Sequence, residues 1–242
     1  MVYLVVVFNC VISFNSVLPL TSHERASFYR ERASQTYNAF WYFVGSTVAE
    51  IPYTFASGVV FTIVFYFMVG FRNFGVGVIF CGNVSLLILM STYMGQLLSY
   101  ALPSVEVAAI LGVLMNTIFF NLTGFNPPAH AIPHGYIWLY RITPYHYSFA
   151  NLAALVLTRC DDEPIYSEAL GRYVGGGLEL GCKVVTNTPD AIGHTTIKHY
   201  VEHYFGAKHS QIWENTGIVI TFIVVFRILA LLSLRYINHQ KR

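Results

Sequence analysis

The chain has 242 residues, of which 55% are apolar, 16% aromatic and only 11% charged. This composition excludes an ordinary soluble domain, in which about 25% of the residues are charged, and a mean hydropathy of +0.53 favours a membrane protein. A formal net charge of +2 with no basic stripe excludes nucleic-acid binding as the main function.

Apolar runs of about 20 residues recur along the chain, and that length crosses the roughly 30 Å hydrocarbon core of a bilayer. The run from Tyr37 to Phe71 is too long for one upright helix, so we divide it near Pro52 into an aromatic interfacial segment and a span. Because the first apolar run begins at the first residue, we expect a truncated domain whose missing span precedes it. The five predicted spans are residues 1–20, 51–70, 74–100, 105–125 and 213–236.

A densely charged segment, residues 22–36, separates the first two spans, and we call it the elbow. Its charged and aromatic side chains are Glu24, Arg25, Phe28, Arg30, Glu31 and Arg32. In a helix, Phe28 lies four residues from both Glu24 and Arg32, so the three side chains share one face. The elbow is therefore predicted to present charge and an aromatic ring to a cytosolic partner.

Basic residues predict the orientation of the spans. Three arginines lie in the elbow, and Arg235, Lys241 and Arg242 lie at the C-terminal end, whereas the turn at residues 100–105 has no basic residue. The positive-inside bias then places the elbow and the C-terminus in the cytosol. Residues 126–211 lie outside, with a proline-punctuated first part that predicts short helices dipping into the membrane and a polar remainder that predicts a small exposed subdomain.

Two of the four cysteines, Cys160 and Cys182, fall in this outer region, where oxidation is permitted. A disulfide between them would close a ring of roughly twenty residues and contribute about 3 kcal/mol to stability. The alternative is a pair of free thiols.

Two short motifs carry a family resemblance: FYRERA at Phe28–Ala33, followed by Tyr37, and EIPY at Glu50–Tyr53. They resemble the pleiotropic-drug-resistance branch of the G-type ABC transporters, in which this motif lies between the second and third helices of a six-helix membrane domain. The match is to the second such domain of full-length members, and the chain resembles its C-terminal part. The implied fold is all-α, a polytopic membrane helical bundle with five of six spans, re-entrant helices and a small extracellular subdomain.

The resemblance implies ATP-driven export of hydrophobic or amphipathic compounds, such as drugs, lipids or sterol-like molecules, across the plasma membrane. The implied partners are nucleotide-binding domains and a second transmembrane domain, in the same longer chain or in trans, together with the lipid bilayer. No cofactor is expected in this chain, because ATP and Mg²⁺ would bind the nucleotide-binding domains. Consistently, the glycine-rich stretch at residues 176–183, GGLELGCK, has a cysteine between its last glycine and lysine and lacks the hydroxyl residue of a phosphate loop, so the chain is not predicted to be an enzyme.

Within this interpretation the six elbow residues named above are the predicted coupling residues. Glu50 is predicted to pair with an elbow arginine near the inner interface, with substrate contact as the alternative. Arg227 is predicted to extend toward the cytosolic headgroups. A set of aromatic and polar side chains on the spans is predicted to line a substrate path, with ordinary helix packing as the alternative. These are Phe61, Phe65, Tyr66, Asn116, Phe119 and Phe120.

Two other function classes remain open. His199, Glu202 and His203 spell H-x-x-E-H, the order found in inverted zinc metalloproteases, which would make the chain a membrane-embedded zinc hydrolase. The alternative for these residues is a polar helix leading into the last span. The other class is a membrane scaffold without transport activity.

Overall fold

The structure is a computed structural model that describes residues 2–34, 38–69, 74–128, 131–167, 172–185 and 195–237. Tyr37, Lys241 and Arg242, which support the sequence predictions, lie outside the described residues, as does the side chain of Arg32. The chain divides into two compact units. One comprises Tyr3–Phe120 with Gly217–Arg242, and the other Asn121–Thr216.

The described part of the chain is dominated by α-helices, as the sequence predicted for an all-α polytopic bundle. Four segments of the described residues are long and apolar enough to cross a membrane: Val2–Glu31, Phe40–Met68, Phe74–Ala101 and His209–Tyr236. The helices are α1 (Val2–Ala33), α2 (Ala39–Val69), α3 (Phe74–Ala101), α4 (Val105–Asn121), α5 (Ile137–Ile142), α6 (Pro144–Leu157), α7 (Ile197–Tyr204) and α8 (Ile212–Tyr236). Helix α4 has 17 residues, the lower end of the length range for a transmembrane helix.

Two helices are longer than the sequence predicted. Helix α2 continues through Pro52, so this proline does not interrupt the helix, and the interfacial position of the part before it stays a prediction. Proline is tolerated inside membrane helices because neighbouring groups satisfy the backbone carbonyl that it frees. Helix α1 likewise continues through the elbow as far as Ala33, and its 32 residues correspond to a length of about 48 Å. Most of the elbow is therefore the end of α1 and not a separate element.

Small residues allow close approach between helices of the first unit, as is common in membrane bundles. A Cβ added to Gly95 on α3 would lie 2.5 Å from Val17 Cγ1 and 3.0 Å from the Phe14 carbonyl oxygen, both on α1. A Cβ on Gly112 of α4 would overlap the Phe14 ring, and one on Gly58 of α2 would overlap the Ser85 side chain of α3. Helix α1 thus packs against α3 and α4, while α2 packs along α3.

The second unit is built from short elements. Helices α5 and α6 have 6 and 14 residues, and Pro144 begins α6, where its missing N–H is not needed. Strands β1 (Ile165–Ser167) and β2 (Arg172–Val174) pair antiparallel, with Ile165 opposite Val174. Helix α6 packs against α7 and against a 3₁₀ turn at Leu180–Cys182.

A disulfide joins Cys160 to Cys182 in the second unit, the pairing that the sequence predicted. It lies beside an ion pair in which Arg159 Nε is 3.1 Å from Glu179 Oε1. Gly181 is required between these groups, because an added Cβ would lie 2.8 Å from the Leu157 carbonyl oxygen and closer still to that of Arg159. The other two cysteines, Cys10 and Cys81, form no disulfide within the described part of the chain.

Candidate functional site

The elbow side chains divide between a buried face and an exposed face of α1. Arg25 and Phe28 are buried, with 9% and 0% of their surfaces exposed. Arg30 and Glu31 are exposed, and Glu24 is half-buried. The structure therefore does not present the predicted coupling residues to a partner as one set.

Arg25 holds the end of α3. One of its terminal nitrogens donates to the carbonyl oxygens of Ser99 and Leu102, at 2.6 and 2.7 Å, and the other donates to that of Pro103 at 3.1 Å. The last carbonyls of a helix have no partner within the helix, and a guanidinium satisfies several of them at once. Arg25 therefore fixes α1 to the end of α3 and to the turn before α4.

Phe28 lies in an aromatic cluster within this chain. Its ring centroid is 4.9 Å from that of Tyr42 on α2, and the neighbouring Tyr29 hydroxyl donates to the Ile237 carbonyl oxygen at 2.7 Å. The prediction that Phe28 is presented to a cytosolic partner is wrong, because helices of its own chain already cover the ring. The buried cluster consists of Phe28, Tyr29, Phe43, Tyr100, Ala230 and Leu234.

Glu50 has a partner that the sequence did not predict. Gln96 Nε2 donates to Glu50 Oε1, and an Arg227 terminal nitrogen donates to Gln96 Oε1. Arg227 Nε also donates to the Thr47 hydroxyl at 2.7 Å. Two of the elbow arginines do not pair with Glu50, because Arg25 is engaged by α3 and Arg30 donates to Ser27, while the Gln96 amide lies between Glu50 and Arg227. A pairing with Arg32, whose side chain lies outside the described residues, stays a prediction.

Arg227 is buried and does not extend to the headgroups, so that prediction is also wrong. Only 7% of its surface is exposed, and its guanidinium carbon lies 4.3 Å from the ring centroids of both Phe43 and Tyr93. Two aromatic faces and two hydrogen bonds replace the water that this cation loses on burial.

Thr47, Glu50, Gln96 and Arg227 form what we call the polar network, which links α2, α3 and α8. One Glu50 oxygen and one Arg227 nitrogen have no hydrogen-bond partner among the described residues. Ionisable side chains inside membrane helices are costly and are usually functional. Glu50 and Arg227 were visible in the sequence as isolated charges, but no sequence signal distinguished Gln96 or Thr47 as their partners.

The predicted substrate-path residues fall into two groups. Phe65 stacks on Phe80 of α3 with centroids 5.2 Å apart, Phe61 stacks on Phe65, and Tyr66 borders a cavity of about 310 Å³ between α2 and α3. The other three lie on α4, where Asn116 is buried and Phe119 and Phe120 are half-buried. Since none of these α4 residues lines the α2–α3 cavity, a single path lined by all six stays a prediction.

Comparison with known proteins assigns the chain to a family. Residues 1–157, more than half of the chain, match the family model described as "ABC-2 type transporter". The chain belongs to the ABC-2 type transporter family. Residues 177–242 match a second family model, "CDR ABC transporter", so the predicted resemblance to G-type ABC transporters is confirmed and the chain is part of an integral membrane protein.

Proteins similar to this chain include ABC transporters of the G family from plants. The chain is 27% identical over 241 residues to "ABC transporter G family member 31" of Arabidopsis thaliana, and 30% identical over 241 residues to "ABC transporter G family member 36" of Oryza sativa subsp. indica. These alignments cover 99% of the chain in both cases but only 15% of each relative. The chain therefore spans about 15% of the length of the curated relatives that it matches.

The zinc-hydrolase alternative gains no support from the geometry of this ABC-2 chain. His199 and His203 lie on one face of α7 with ring centroids 6.5 Å apart. Throughout the described residues, however, no group of three His, Cys, Asp or Glu side chains is placed to hold a metal ion.

Helix α7 of the ABC-2 chain instead serves the packing of the second unit. Thr196 caps the helix by accepting from the His199 backbone N–H at 3.3 Å. Lys198 donates to Glu163, and this hydrogen bond holds the pKa of the Glu163 carboxyl below its usual value.

Burial also changes the pKa of a histidine in the second unit, His146. It lowers the pKa of His146 to about 4, although the ring nitrogen Nδ1 donates to the Thr123 carbonyl oxygen at 3.3 Å. The ring lies 4.0 Å from that of Tyr140, measured between centroids. His146 is therefore a neutral packing group at physiological pH and does not act as a charged site there.

Proposed function

We propose that this chain is part of the transmembrane domain of an ATP-driven exporter of hydrophobic or amphipathic compounds. Its partners are nucleotide-binding domains, which hold ATP and Mg²⁺, and a second transmembrane domain, in the same longer protein or in trans. Membership of the ABC-2 type transporter family supports this proposal, as do relatives named as ABC transporters of the G family.

One observation carries the mechanism: the charged end of α1 is continuous with its apolar part and is fixed to other helices. Arg25 is bonded to the end of α3, and Phe28 packs in a cluster with residues of α2, α3 and α8. A force applied to the exposed side of this end is therefore transmitted to several membrane helices together. Such a segment suits the coupling of a two-state helix bundle to ATP binding.

The coupling contact is assigned to the exposed residues Arg30 and Glu31, with Glu24 and Arg32 as further candidates on the same helix. Arg25 and Phe28 transmit the movement within the chain instead of touching the partner. This division replaces the sequence hypothesis of one docking surface made by all six residues, and it rests on the exposure of Arg30 and Glu31.

Changing both Arg30 and Glu31 to alanine in the complete transporter tests this assignment. We expect membrane insertion and ATP binding to persist, while substrate-stimulated ATP hydrolysis and export fall together by about tenfold, since coupling free energies are about 1–3 kcal/mol. ATPase activity and transport into inside-out vesicles are measured on the same preparation.

A matched control removes another pair of opposite charges, Glu163 and Lys198, in the second unit. Exposed ion pairs contribute about 0–1 kcal/mol, so this double alanine variant should keep both activities. Normal export with Arg30 and Glu31 both replaced would remove the coupling role from this end of α1.

The proposal also includes the plasma membrane as the location and a cytosolic C-terminus. The support is the concentration of arginines in the elbow and of basic residues at the C-terminal end. The predicted outer region then contains the disulfide, in a compartment where such bonds persist.

A further inference from the structure

A cavity of about 480 Å³ lies between the charged end of α1 and the first half of α2. It is distinct from the α2–α3 cavity that Tyr66 borders. Its volume is within the range of pockets that hold small molecules, about 300–1,000 Å³. Its polar and aromatic lining residues are Glu24, Trp41, Tyr42, Ser46, Glu50 and Tyr53.

Among the described elbow side chains, none neutralises the two acids of this lining, and Glu50 is linked through Gln96 to Arg227. No side chain in the described part of the chain forms an ion pair or a hydrogen bond with Glu24. One oxygen of Glu50 is buried without a hydrogen-bond partner among the same residues. Arg25 is turned toward the carbonyl oxygens of α3, and Arg30 donates to Ser27, so neither is a counter-ion to these acids.

Aromatic rings complete the chemistry of the cavity. The side chains of Trp41 and Tyr53 are 69% and 78% exposed, and their rings border the same space as the two carboxylates. The faces of indole and phenol rings attract cations, and the attraction is strongest for weakly hydrated ones such as quaternary ammonium groups. Carboxylates beside such rings add a Coulombic attraction for the same ligand.

This lining also selects against other ligands. The described residues that line it include two acids and no lysine or arginine, so the phosphate of a phosphocholine headgroup would meet like charge. A small inorganic cation prefers several oxygen ligands in a compact shell, whereas half of the polar and aromatic set here is aromatic. An organic cation that carries no phosphate satisfies both features.

We propose that this cavity is a binding site for an organic monocation with a quaternary ammonium or similar weakly hydrated charge on an apolar body. Glu24 provides the charge partner, and Trp41 and Tyr53 provide the ring faces. Binding to this site is measured without ATP, so its test does not depend on the proposed export.

Photolabelling of the transporter that contains this chain, purified in a neutral detergent without nucleotide, tests the site. The probe is benzyltrimethylammonium with a diazirine on its ring. We expect it to label the peptide that includes Trp41–Tyr53, with the position read by mass spectrometry. Unlabelled benzyltrimethylammonium should compete, and neopentylbenzene, which has the same shape without the charge, should compete at least about tenfold less well.

Three variants locate the interaction. Glu24→Gln should weaken competition by about tenfold, and Glu24→Asp, which keeps the charge, should restore most of it. Glu106→Gln is the matched control, since Glu106 is an acid in the first turn of α4 that does not line the cavity. Each variant is compared only after its thermal unfolding midpoint is shown to match that of the parent.

Three results would overturn the proposal. One is labelling confined to other parts of the transporter, which would also be the outcome if a basic side chain of a partner protein fills the cavity. Another is equal competition by neopentylbenzene, and the third is unchanged binding to Glu24→Gln. A failure of export or of elbow coupling would leave these binding results unaffected, so the two proposals are tested separately.

Discussion

At the scale of single residues, Arg227 makes more kinds of contact than Glu50, the other charged side chain of the polar network. It donates to Thr47 and Gln96 and lies between the rings of Phe43 and Tyr93. Lysine has no planar fork, so it can neither stack between two rings in the same way nor reach both acceptors. The contacts at position 227 therefore require arginine specifically, and not only a positive charge.

Replacement of Arg227 by methionine should lower the free energy of unfolding by about 3 kcal/mol, because Glu50 and Gln96 then remain buried without their cation. Arg227→Lys should fall between this variant and the parent. Thermal unfolding of the purified transporter measures both. Arg235→Met, at the exposed end of α8, is the control and should change stability by less than about 0.5 kcal/mol. Parent-like unfolding of Arg227→Met would show that the network does not stabilise the bundle.

Gly181 is limited by space and not by its backbone angle. An added Cβ would lie 2.8 Å from the Leu157 carbonyl oxygen and nearer to that of Arg159, and these backbone atoms cannot move aside as a side chain can. Gly181→Ala should therefore reduce the yield of the Cys160–Cys182 disulfide at least about twofold, at a cost of about 1–3 kcal/mol typical of overpacking.

The disulfide yield is read by mass spectrometry of non-reduced peptides. Gly135→Ala is the matched control in the same unit, because a Cβ there would meet nothing within 4 Å. Equal disulfide yields in the two variants would contradict the packing argument.

At the scale of elements, the link between α1 and the end of α3 depends on one guanidinium. Arg25→Gln removes charge-assisted hydrogen bonds to Ser99, Leu102 and Pro103, and a hydrogen bond to a charged group contributes about 1.5–3 kcal/mol. We expect faster amide hydrogen exchange in residues 99–104, by about tenfold or more. The α2 amides should be much less affected, because the Arg25 side chain donates its hydrogen bonds to residues 99–103.

Arg30→Gln is the control for this exchange measurement, since Arg30 lies on the same helix, is exposed and donates to its neighbour Ser27 and not to the end of α3. It should leave residues 99–104 unchanged. Similar exchange in both variants would mean that Arg25 does not hold the end of α3.

The sequence predicted the helices better than it predicted their partners. Apolar length alone locates the long helices, because crossing hydrocarbon requires it. Pro52 was predicted to divide its apolar run because a rule for exposed helices was applied to a membrane helix. There, neighbouring helices compensate for the lost hydrogen bond. Phe28 and Arg25 were predicted to face a partner because spacing on α1 shows which residues share a face but not which neighbour covers it.

At the scale of the whole molecule, the orientation in the membrane stays a prediction that cysteine labelling can test. In a background with Cys10 and Cys81 replaced by serine, an impermeant maleimide added outside intact cells should label Ser167→Cys and not Ser34→Cys. After permeabilisation it should label both, since Ser34 is exposed and Ser167 is half-buried. Labelling of Ser34→Cys alone from outside would reverse the orientation, and with it the cytosolic position of the coupling residues.

The polar network also has a consequence for synthesis of the protein. Arg227 follows Gln96 by 131 residues and Thr47 by 180 residues, so the ribosome has finished α2 and α3 long before their cation exists. During that interval Glu50 and Gln96 are in the bilayer without Arg227, and intramembrane polar groups without partners are unfavourable. We therefore expect the nascent chain to remain beside the insertion machinery until α8 has been synthesised. In a chain that ends before α8, Glu50 and Gln96 remain without Arg227. Membrane quality control can recognise incomplete synthesis by these unpaired polar groups.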